Sequence, residues 1–224
     1  MRIIPIGQNG YIIKTTNTEI IIDPYLSDIV NEVAGRPRLM PAPIQPEDIC
    51  ADVVICTHNH LDHLDVASIP LMREEQLFIT THEGKEKLAE LERHNVIALK
   101  CGESLTVGDV EIIAVYAKHT VEAFGVILKA DGMTLYFSGD TLYDEKLFEL
   151  ATHKPDVTFI CINGKLGNMN VDEALIVAKQ IGATINIPSH YDMFASNSEN
   201  PEMFTNHISG GKILEFNKVY EFNK

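Results

Sequence analysis

The sequence lacks any apolar run near the roughly 20 residues that a membrane-spanning helix requires. Its first residues, Met1-Arg2-Ile3-Ile4-Pro5, also lack the apolar core and the small-residue cleavage site of a signal peptide. Both absences argue against a membrane-embedded or exported protein. We therefore expect a cytoplasmic protein with no membrane partner.

Cysteine is scarce, and its spacing does not suggest a cross-linked or metal-binding scaffold. Cys50, Cys56, Cys101 and Cys161 form no CxxC pair. Three of the four lie in or beside apolar, strand-like segments. This placement favours buried, reduced thiols over disulfides.

Positive charge is also limited, with 18 Lys and Arg against 32 Asp and Glu and a formal net charge of −14. The chain has no Lys/Arg cluster that could follow a phosphate backbone, so we expect no nucleic-acid partner. A small-molecule substrate is expected instead. It can be anionic, because one or two local cations are enough to bind it. We further expect a homo-oligomer.

The 224 residues, 45% hydrophobic and 22% charged, can bury a substantial core. The sequence shows no repeat and no break in composition, so residues 1–224 are predicted to form a single α/β domain. Antiparallel hairpins are expected early and βα units later. Strands are predicted at residues 10–14, 19–23, 51–56, 77–80, 96–99, 104–107, 110–116, 124–130, 133–138, 157–162 and 184–187.

Two capping boxes indicate where helices begin. Thr80 with Glu83 predicts a helix over 81–93, and Asn170 with Glu173 predicts one that ends at Gly182. Further helices are predicted at 28–33 and 144–152, and a final hairpin at 212–222. The proline-rich segment 24–50 is predicted to be irregular, and a loop of that length is usually functional.

The most informative segment is Thr57-His58-Asn59-His60-Leu61-Asp62-His63, directly after the apolar strand 51–56. His58 and His60 are two residues apart, so on an extended chain both imidazoles face the same side and can bind one metal ion. Asp62 and His63 follow as the chain turns, and can reach a second ion. Three histidines and an aspartate within six residues indicate a metal site rather than a chance polar loop.

The remaining histidines are interpreted differently. They lie at predicted helix ends or in a polar stretch near the C-terminus, where imidazoles usually satisfy helix termini or face water. These residues are His82, His94, His153 and His207.

The histidine run matches the HxHxDH motif of the metallo-β-lactamase superfamily, which the chain resembles along almost its full length. The resemblance implies a four-layer αββα sandwich, in which two mixed β-sheets are flanked by helices. It also implies three later ligands from other strand ends, which match His119, Asp140 in Ser138-Gly139-Asp140-Thr141, and His190 in Ile187-Pro188-Ser189-His190-Tyr191.

The same resemblance divides the ligands between two metal ions. One ion is expected to bind His58, His60 and His119, and the other Asp62, His63 and His190, with Asp140 shared. Asp23 matches an early aspartate that supports the ligands through hydrogen bonds. All donors are nitrogen or carboxylate oxygen, so manganese, zinc or iron(II) is compatible.

Paired metal ions that share a water or hydroxide generate a nucleophile at neutral pH and polarise the bond under attack. Asp62 is the expected catalytic residue, since it can orient this nucleophile or accept its proton. The sequence therefore predicts a metal-dependent hydrolase. Lactones, thioesters, amides and phosphodiesters all suit such a site.

Several segments resemble the branch of the superfamily that contains L-ascorbate-6-phosphate lactonase. Members of that branch use manganese on a sugar-derived lactone phosphate, so the resemblance implies a lactonase-like activity. The chain is shorter than the enterobacterial members and departs from them at His119-Thr120. The segments that carry the resemblance are 57–65, 138–143, 163–170 and 187–194.

Five residues in the loops are candidate substrate-binding residues. An arginine in the long loop, or the lysine after strand 157–162, could bind a phosphate or carboxylate. Each of these cations could equally be a solvated loop residue. The candidates are Arg36, Arg38, Asn163, Lys165 and Tyr191.

Two alternatives remain open on sequence grounds. The first is a phosphodiesterase or phospholipase-D-like hydrolase of the same superfamily, since N-acylphosphatidylethanolamine-hydrolysing enzymes look similar around the motif. The second is a non-catalytic metal-binding domain. Such a domain is expected to have lost at least one metal ligand, whereas all seven expected ligands are present here.

Overall fold

The fold is built on thirteen strands, described for residues 1–223 in a computed structural model. In chain order the strands are β1 (Arg2–Gly7), β2 (Gly10–Lys14), β3 (Glu19–Ile22), β4 (Val53–Ile55), β5 (Leu77–Thr80), β6 (Val96–Ala98), β7 (Ser104–Val107), β8 (Val110–Tyr116), β9 (Phe124–Ala130), β10 (Met133–Phe137), β11 (Val157–Cys161), β12 (Ile185–Ser189) and β13 (Tyr220–Glu221).

These strands form two mixed sheets. The first has the order β13-β1-β2-β3-β4-β5-β6, and the second β12-β11-β10-β9-β8-β7. Within the first sheet β1, β2 and β3 pair antiparallel, while β3 to β6 pair parallel. The second sheet is antiparallel from β7 to β10 and parallel from β10 to β12. Each sheet therefore brings several carboxyl ends of strands to one edge.

Helices lie outside the sheets: α1 (Ile29–Ala34), α2 (His82–Glu90), α3 (Val171–Ile181) and α4 (Glu202–Thr205). Short 3-10 helices occur at Pro46–Asp48 and Ile69–Leu71, and a longer one at Glu145–His153. No helix within residues 1–223 is long and apolar enough to cross a membrane.

Three hydrophobic clusters define four layers. The largest fills the space between the two sheets and includes Ile22, Ile55 and Phe159. A second joins the outer face of the second sheet to α3, and a third joins the outer face of the first sheet to α2 through Leu88. This order of helix, sheet, sheet and helix confirms the predicted αββα fold.

Of the two predicted capping boxes, one is confirmed and the other is not. Asn170 and Glu173 form the predicted capping box, with reciprocal hydrogen bonds of 3.0 Å, and α3 ends at Gly182 in a left-handed conformation. The box at Thr80 was wrong by one residue, because Thr81 Oγ1 accepts the hydrogen bond from Gly84 N. The backbone N–H of Glu83 instead donates to Glu122.

Strand β1 was not predicted from the sequence, and the final hairpin was predicted in the wrong place. Pro5 cannot donate a ladder hydrogen bond, which weakens the strand signal of β1, and the register shifts between Pro5 and Gly7. The segment 212–222 forms no hairpin of its own, because β13 pairs with β1. Gly211 instead forms a bridge with Asn186.

Two further expectations need correction. The segment predicted as a helix at 144–152 is a 3-10 helix whose N-terminus is capped by Asp144. All four cysteines are free, but Cys50 and Cys101 are exposed and only Cys56 and Cys161 are buried. Cys50 lies between apolar residues in sequence, yet both exposed thiols lie in loops at the surface.

The packing of α3 generates a prediction from two isoleucines on one helix. Ile181 is 5% exposed in the cluster between the second sheet and α3, whereas Ile176 is 46% exposed. Replacing Ile181 with Ala should lower the free energy of unfolding by about 2–5 kcal/mol, because it leaves a cavity. The matched change Ile176→Ala should alter it by less than about 0.5 kcal/mol. Urea denaturation of both variants measures the difference, and equal losses would contradict this packing.

Candidate metal centre

The polar residues of the site follow the ends of strands in both sheets. Asp23 follows β3, the run 57–63 follows β4, and His119 comes after β8. Asp140 follows β10 and His190 follows β12. Because the two sheets meet at this edge, residues separated by more than a hundred positions lie within a few ångströms of one another.

One group of donors consists of three histidines. His60 Nδ1 lies 3.0 Å from His58 Nε2 and 3.2 Å from His119 Nε2. The side chains of His58 and His119 are fully buried, while His60 is half-buried. Three imidazole nitrogens therefore converge on one point.

A second group consists of Asp62, His63 and His190, with Asp140 between the two groups. Asp140 Oδ1 lies 3.3 Å from His63 Nε2 and 3.2 Å from His190 Nε2. The other oxygen of the same carboxylate, Oδ2, lies 3.9 Å from His119 Nε2. Asp62 Oδ2 is 3.7 Å from His63 Nε2 and 3.6 Å from His190 Nε2.

Asp23 fixes the orientation of two of these imidazoles. Its carboxylate accepts hydrogen bonds from Thr57 N, from Thr57 Oγ1 and from His63 Nδ1, each at 2.8 Å. The Thr57 hydroxyl therefore donates to Asp23 and accepts from His58 Nδ1 at 3.2 Å. Since each Nδ1 carries the proton, the Nε2 lone pairs of His58 and His63 point into the site.

His119 is oriented in the same way by a backbone carbonyl. Its Nδ1 donates to Gly167 O at 3.0 Å, which leaves Nε2 as the bare nitrogen. Gly167 has a φ of +93°, and a Cβ there would lie 2.9 Å from the His119 ring. The loop 163–169 can approach His119 this closely only with glycine at that position.

The electrostatics of the two groups differ. Burial lowers the pKa of His58 well below its ordinary value, and the nearby His63 lowers it further. Burial opposes charge on His190 as well, but the carboxylates of Asp140 and Asp62 raise its pKa to about 9. Interactions with His190 and His63 in turn overcome the burial of Asp140 and hold the pKa of that carboxyl well below its usual range.

The donor set fits metal binding. Three sets of ligand atoms lie within 4.8 Å of one another, namely His58/His60/His119, His58/His63/Asp140 and Asp62/His63/His190. His63 Nε2 is buried and has no hydrogen-bond partner within residues 1–223. A buried lone pair that faces carboxylates and other imidazoles is satisfied by a cation.

Three residues of the site have a strained backbone. Gln8, Asp23 and His190 adopt left-handed conformations with φ of 56°, 44° and 61°. Non-glycine residues rarely adopt these angles, and such strain persists where the surroundings hold it in place. All three side chains contact a predicted ligand or are one.

Two residues of the β1–β2 turn contact the predicted ligands and were not predicted from the sequence. Gln8 Nε2 donates to Asp62 Oδ2 at 2.7 Å, and Asn9 Nδ2 donates to Asp140 Oδ1 at 2.9 Å. Asn9 Oδ1 in turn accepts from Ser189 Oγ, which is bonded to Tyr11 Oη. The only sequence signal was the pair of adjacent amides next to Gly7 and Gly10, and β1 itself was not predicted.

A cavity of about 480 Å³ adjoins the predicted metal ligands. Among its lining residues are the predicted ligands His60, Asp62, Asp140 and His190, together with Arg36 from the long loop. Leu61, Val30 and Leu166 supply an apolar wall. The cavity is therefore lined by predicted metal ligands, one arginine and apolar residues.

Of the five predicted substrate-binding residues, only Arg36 lines this cavity. Arg38 is a structural residue instead, since its guanidinium donates to the carbonyls of Tyr25, Ser27 and Met40. Lys165 Nζ donates to Ser196 O at 3.2 Å. This contact joins two loops outside the residues that line the cavity.

The other two candidates are buried beside the cavity. Asn163 donates to Asn197 Oδ1 at 2.8 Å, and Asn197 does line the cavity. Tyr191 packs in the outer cluster against Phe216. Tyr191 is therefore buried and is not among the residues that line the cavity, and its proposed contact with substrate stays a prediction.

The role of Asp23 is open to a direct test. In Asp23→Asn, an amide nitrogen at the Oδ2 position would face His63 Nδ1, and would favour the tautomer that carries the proton on Nε2. We expect metal affinity to fall by about 10–100-fold, the usual effect of losing such a partner. Metal content after equilibration with a chelator measures it, with Asp172→Asn at the exposed start of α3 as the control. Unchanged affinity would refute this role.

Comparison with known proteins places the chain among metal-dependent hydrolases. The chain is 27% identical, over its full length and that of the relative, to a "UPF0173 metal-dependent hydrolase" of Archaeoglobus fulgidus. Its structure is similar to that of Igni18, a metallo hydrolase from Ignicoccus hospitalis, with a TM-score of 0.81 and 22% identity over 99% of both chains. It is also similar to an isothiocyanate hydrolase from Delia radicum gut bacteria, with a TM-score of 0.83 and 21% identity over the whole of both chains.

A family model shows the relationship directly. The model described as "Beta-lactamase superfamily domain" matches residues 18–191, which contain Asp23 and all seven predicted metal ligands. The two-sheet sandwich flanked by helices is the metallo-β-lactamase fold. The chain therefore belongs to the beta-lactamase superfamily.

Proposed function

We propose that this metal-dependent hydrolase opens a lactone that carries an anionic group, of the sugar-lactone phosphate type. The observation that carries the proposal is the cavity itself, where predicted metal ligands share one space with the guanidinium of Arg36. Arg36 has no hydrogen-bond or ion-pair partner among residues 1–223. It is therefore available to a ligand.

The proposed cofactor is a pair of divalent ions, manganese or zinc, with iron(II) also compatible with the donors. The first would bind His58, His60 and His119, the second Asp62, His63 and His190, and Asp140 both. When bound, such ions activate a water molecule and polarise the carbonyl under attack. The separation of the donors into two groups joined by one carboxylate supports this arrangement.

Asp62 is the proposed catalytic residue. Its side chain is 19% exposed and lines the cavity, whereas the supporting Asp23 is fully buried. Burial would raise the pKa of Asp62, but His63 and His190 overcome it and lower the pKa below its ordinary value. The ionised carboxylate can orient the attacking water and accept its proton.

The loop 163–170 supplies further polar groups to the cavity. Asn168 lines the cavity, is 4% exposed, and neither its Oδ1 nor its Nδ2 has a hydrogen-bond partner in the described chain. A buried amide without partners is unfavourable unless a ligand or water satisfies it. Hydroxyl groups of a sugar-derived lactone would provide both a donor and an acceptor.

The proposed partner is thus a small molecule and neither a nucleic acid nor a membrane, and the homo-oligomeric state stays a prediction. A phosphodiester would suit the same donors. We therefore propose to compare a simple lactone, a sugar-lactone phosphate and bis-p-nitrophenyl phosphate on the manganese- or zinc-loaded protein. Fastest turnover of bis-p-nitrophenyl phosphate would favour the phosphodiesterase alternative, and turnover of none would favour a non-catalytic domain.

Asp62→Asn tests the catalytic assignment. The amide cannot accept the proton, so kcat on the best substrate should fall by about 10²–10⁴-fold. Because Asp62 is also a proposed ligand, metal content is measured in the same samples and rates are expressed per bound ion. Full activity of the variant would rule out the assignment.

Arg36→Ala tests recognition of the anion. We expect KM for an anionic lactone to rise by about 10-fold or more, since a charge-assisted hydrogen bond is lost. KM for a neutral lactone should stay the same. Lys165→Ala is the matched control, because Lys165 is a loop cation outside the cavity lining. Equal effects of Arg36→Ala on both lactones would contradict an anion-binding role.

A further inference from the structure

Gln8 reaches the metal-binding residues from the turn between β1 and β2. Its side chain is buried, and Nε2 lies 2.7 Å from Asp62 Oδ2 and 3.1 Å from His190 Nε2. The other polar atom of the same group, Oε1, is buried without a hydrogen-bond partner among the described residues. The carboxamide thus ends between two predicted ligands of one metal ion.

The backbone holds Gln8 in this position. Its carbonyl accepts a hydrogen bond from His190 N at 3.1 Å, and Ser189 Oγ lies 3.3 Å from the same oxygen. The preceding Gly7 has a φ of +103°, and a Cβ there would lie 2.6 Å from Met193 Cε. The turn is therefore fixed to the segment that carries His190, and Gln8 and His190 form one unit.

The distances match those between ligands of a common ion. Donor atoms that bind one small divalent cation at about 2.1 Å are roughly 3 Å apart. Within this group His190 Nε2 and Asp140 Oδ1 are 3.2 Å apart, and Asp62 Oδ2 and His63 Nε2 are 3.7 Å apart. The carboxamide of Gln8, at 2.7 and 3.1 Å from two of these atoms, falls in the same range.

The chemistry of the carboxamide decides which atom would face an ion. An amide nitrogen has no lone pair to donate, whereas an amide oxygen is a good ligand for hard divalent ions. A half-turn about the last side-chain bond exchanges the two atoms. Oε1 would then lie beside Asp62 Oδ2 and His190 Nε2, where a bound cation would offset the repulsion between these lone pairs and the His190 Nε2 lone pair would be free for the same ion.

We propose that Gln8 is a further metal ligand, which binds through Oε1 the ion held by Asp62, His63 and His190. This rests on the proposed two-metal site and adds a neutral oxygen donor to its second ion. Gln8 would then tie the β1–β2 turn to that ion directly.

Two variants test the proposal on the zinc-loaded protein. Gln8→Leu removes the oxygen, and Gln8→Glu keeps an oxygen donor but cannot donate a hydrogen bond. Each protein is equilibrated with a series of chelator concentrations, and zinc per chain is counted by elemental analysis. The Leu variant should release its second zinc at about 10–100-fold lower chelator strength, while the Glu variant should hold it at least as tightly as the wild type. Gln180→Leu, on the exposed face of α3, is the control.

Other results overturn the proposal in distinct ways. Early release from both Gln8 variants would mean that Gln8 acts only as a hydrogen-bond donor to Asp62. Tighter binding by Gln8→Leu would mean that the amide competes with the ion, and no change in either variant would mean that it does not take part. If Gln8→Leu fails to fold, the cobalt(II) absorption spectrum of Gln8→Glu decides, and a spectrum identical to that of the wild type overturns the proposal. A wild-type protein that never binds a second zinc refutes the two-metal site itself.

Discussion

The hydrogen bonds to the buried carboxylate of Asp23 are the constraint on which the metal centre depends. This carboxylate fixes His63 directly and His58 through the Thr57 hydroxyl. Without it, either imidazole could rotate or carry its proton on the nitrogen that faces the site. The left-handed backbone at Asp23 is the local strain that accompanies this arrangement.

The sandwich supplies the remaining geometry. Strand ends from both sheets meet at one edge, so Asp140 from the second sheet reaches donors that begin on the first. Loops beyond the same strand ends enclose the cavity. Asp65 anchors them, since its carboxylate accepts hydrogen bonds from the backbone and hydroxyls of Ser27 and Ser68. The position of Arg36 therefore depends on the same framework as the ligands.

Several strands, one helix start and the histidine run could be predicted because their signals are local, whereas the αββα order and the positions of the later expected ligands came from the family resemblance. Alternating apolar residues, the capping box at Asn170 and the spacing of His58 and His60 can all be recognised within a few residues. The residues that line the cavity could not be predicted in this way. Their identity depends on which loop cations form hydrogen bonds within the protein and which stay available to a ligand. Arg38 and Arg36 are equivalent in sequence, yet Arg38 is bonded to three backbone carbonyls. Gln8 and Asn9 were not predicted because β1 contains a proline. Their hydrogen-bond partners, Asp62 and Asp140, are also more than fifty positions away in the sequence.

Divalent ions bound by these residues are the central claim, and hydrolysis must depend on them. The most direct measurement follows metal content and the rate of hydrolysis in the same samples as a chelator removes the ions. The account predicts that the rate falls in step with bound metal and returns when manganese or zinc is restored. A metal-free protein that still hydrolyses its best substrate at the full rate would contradict it.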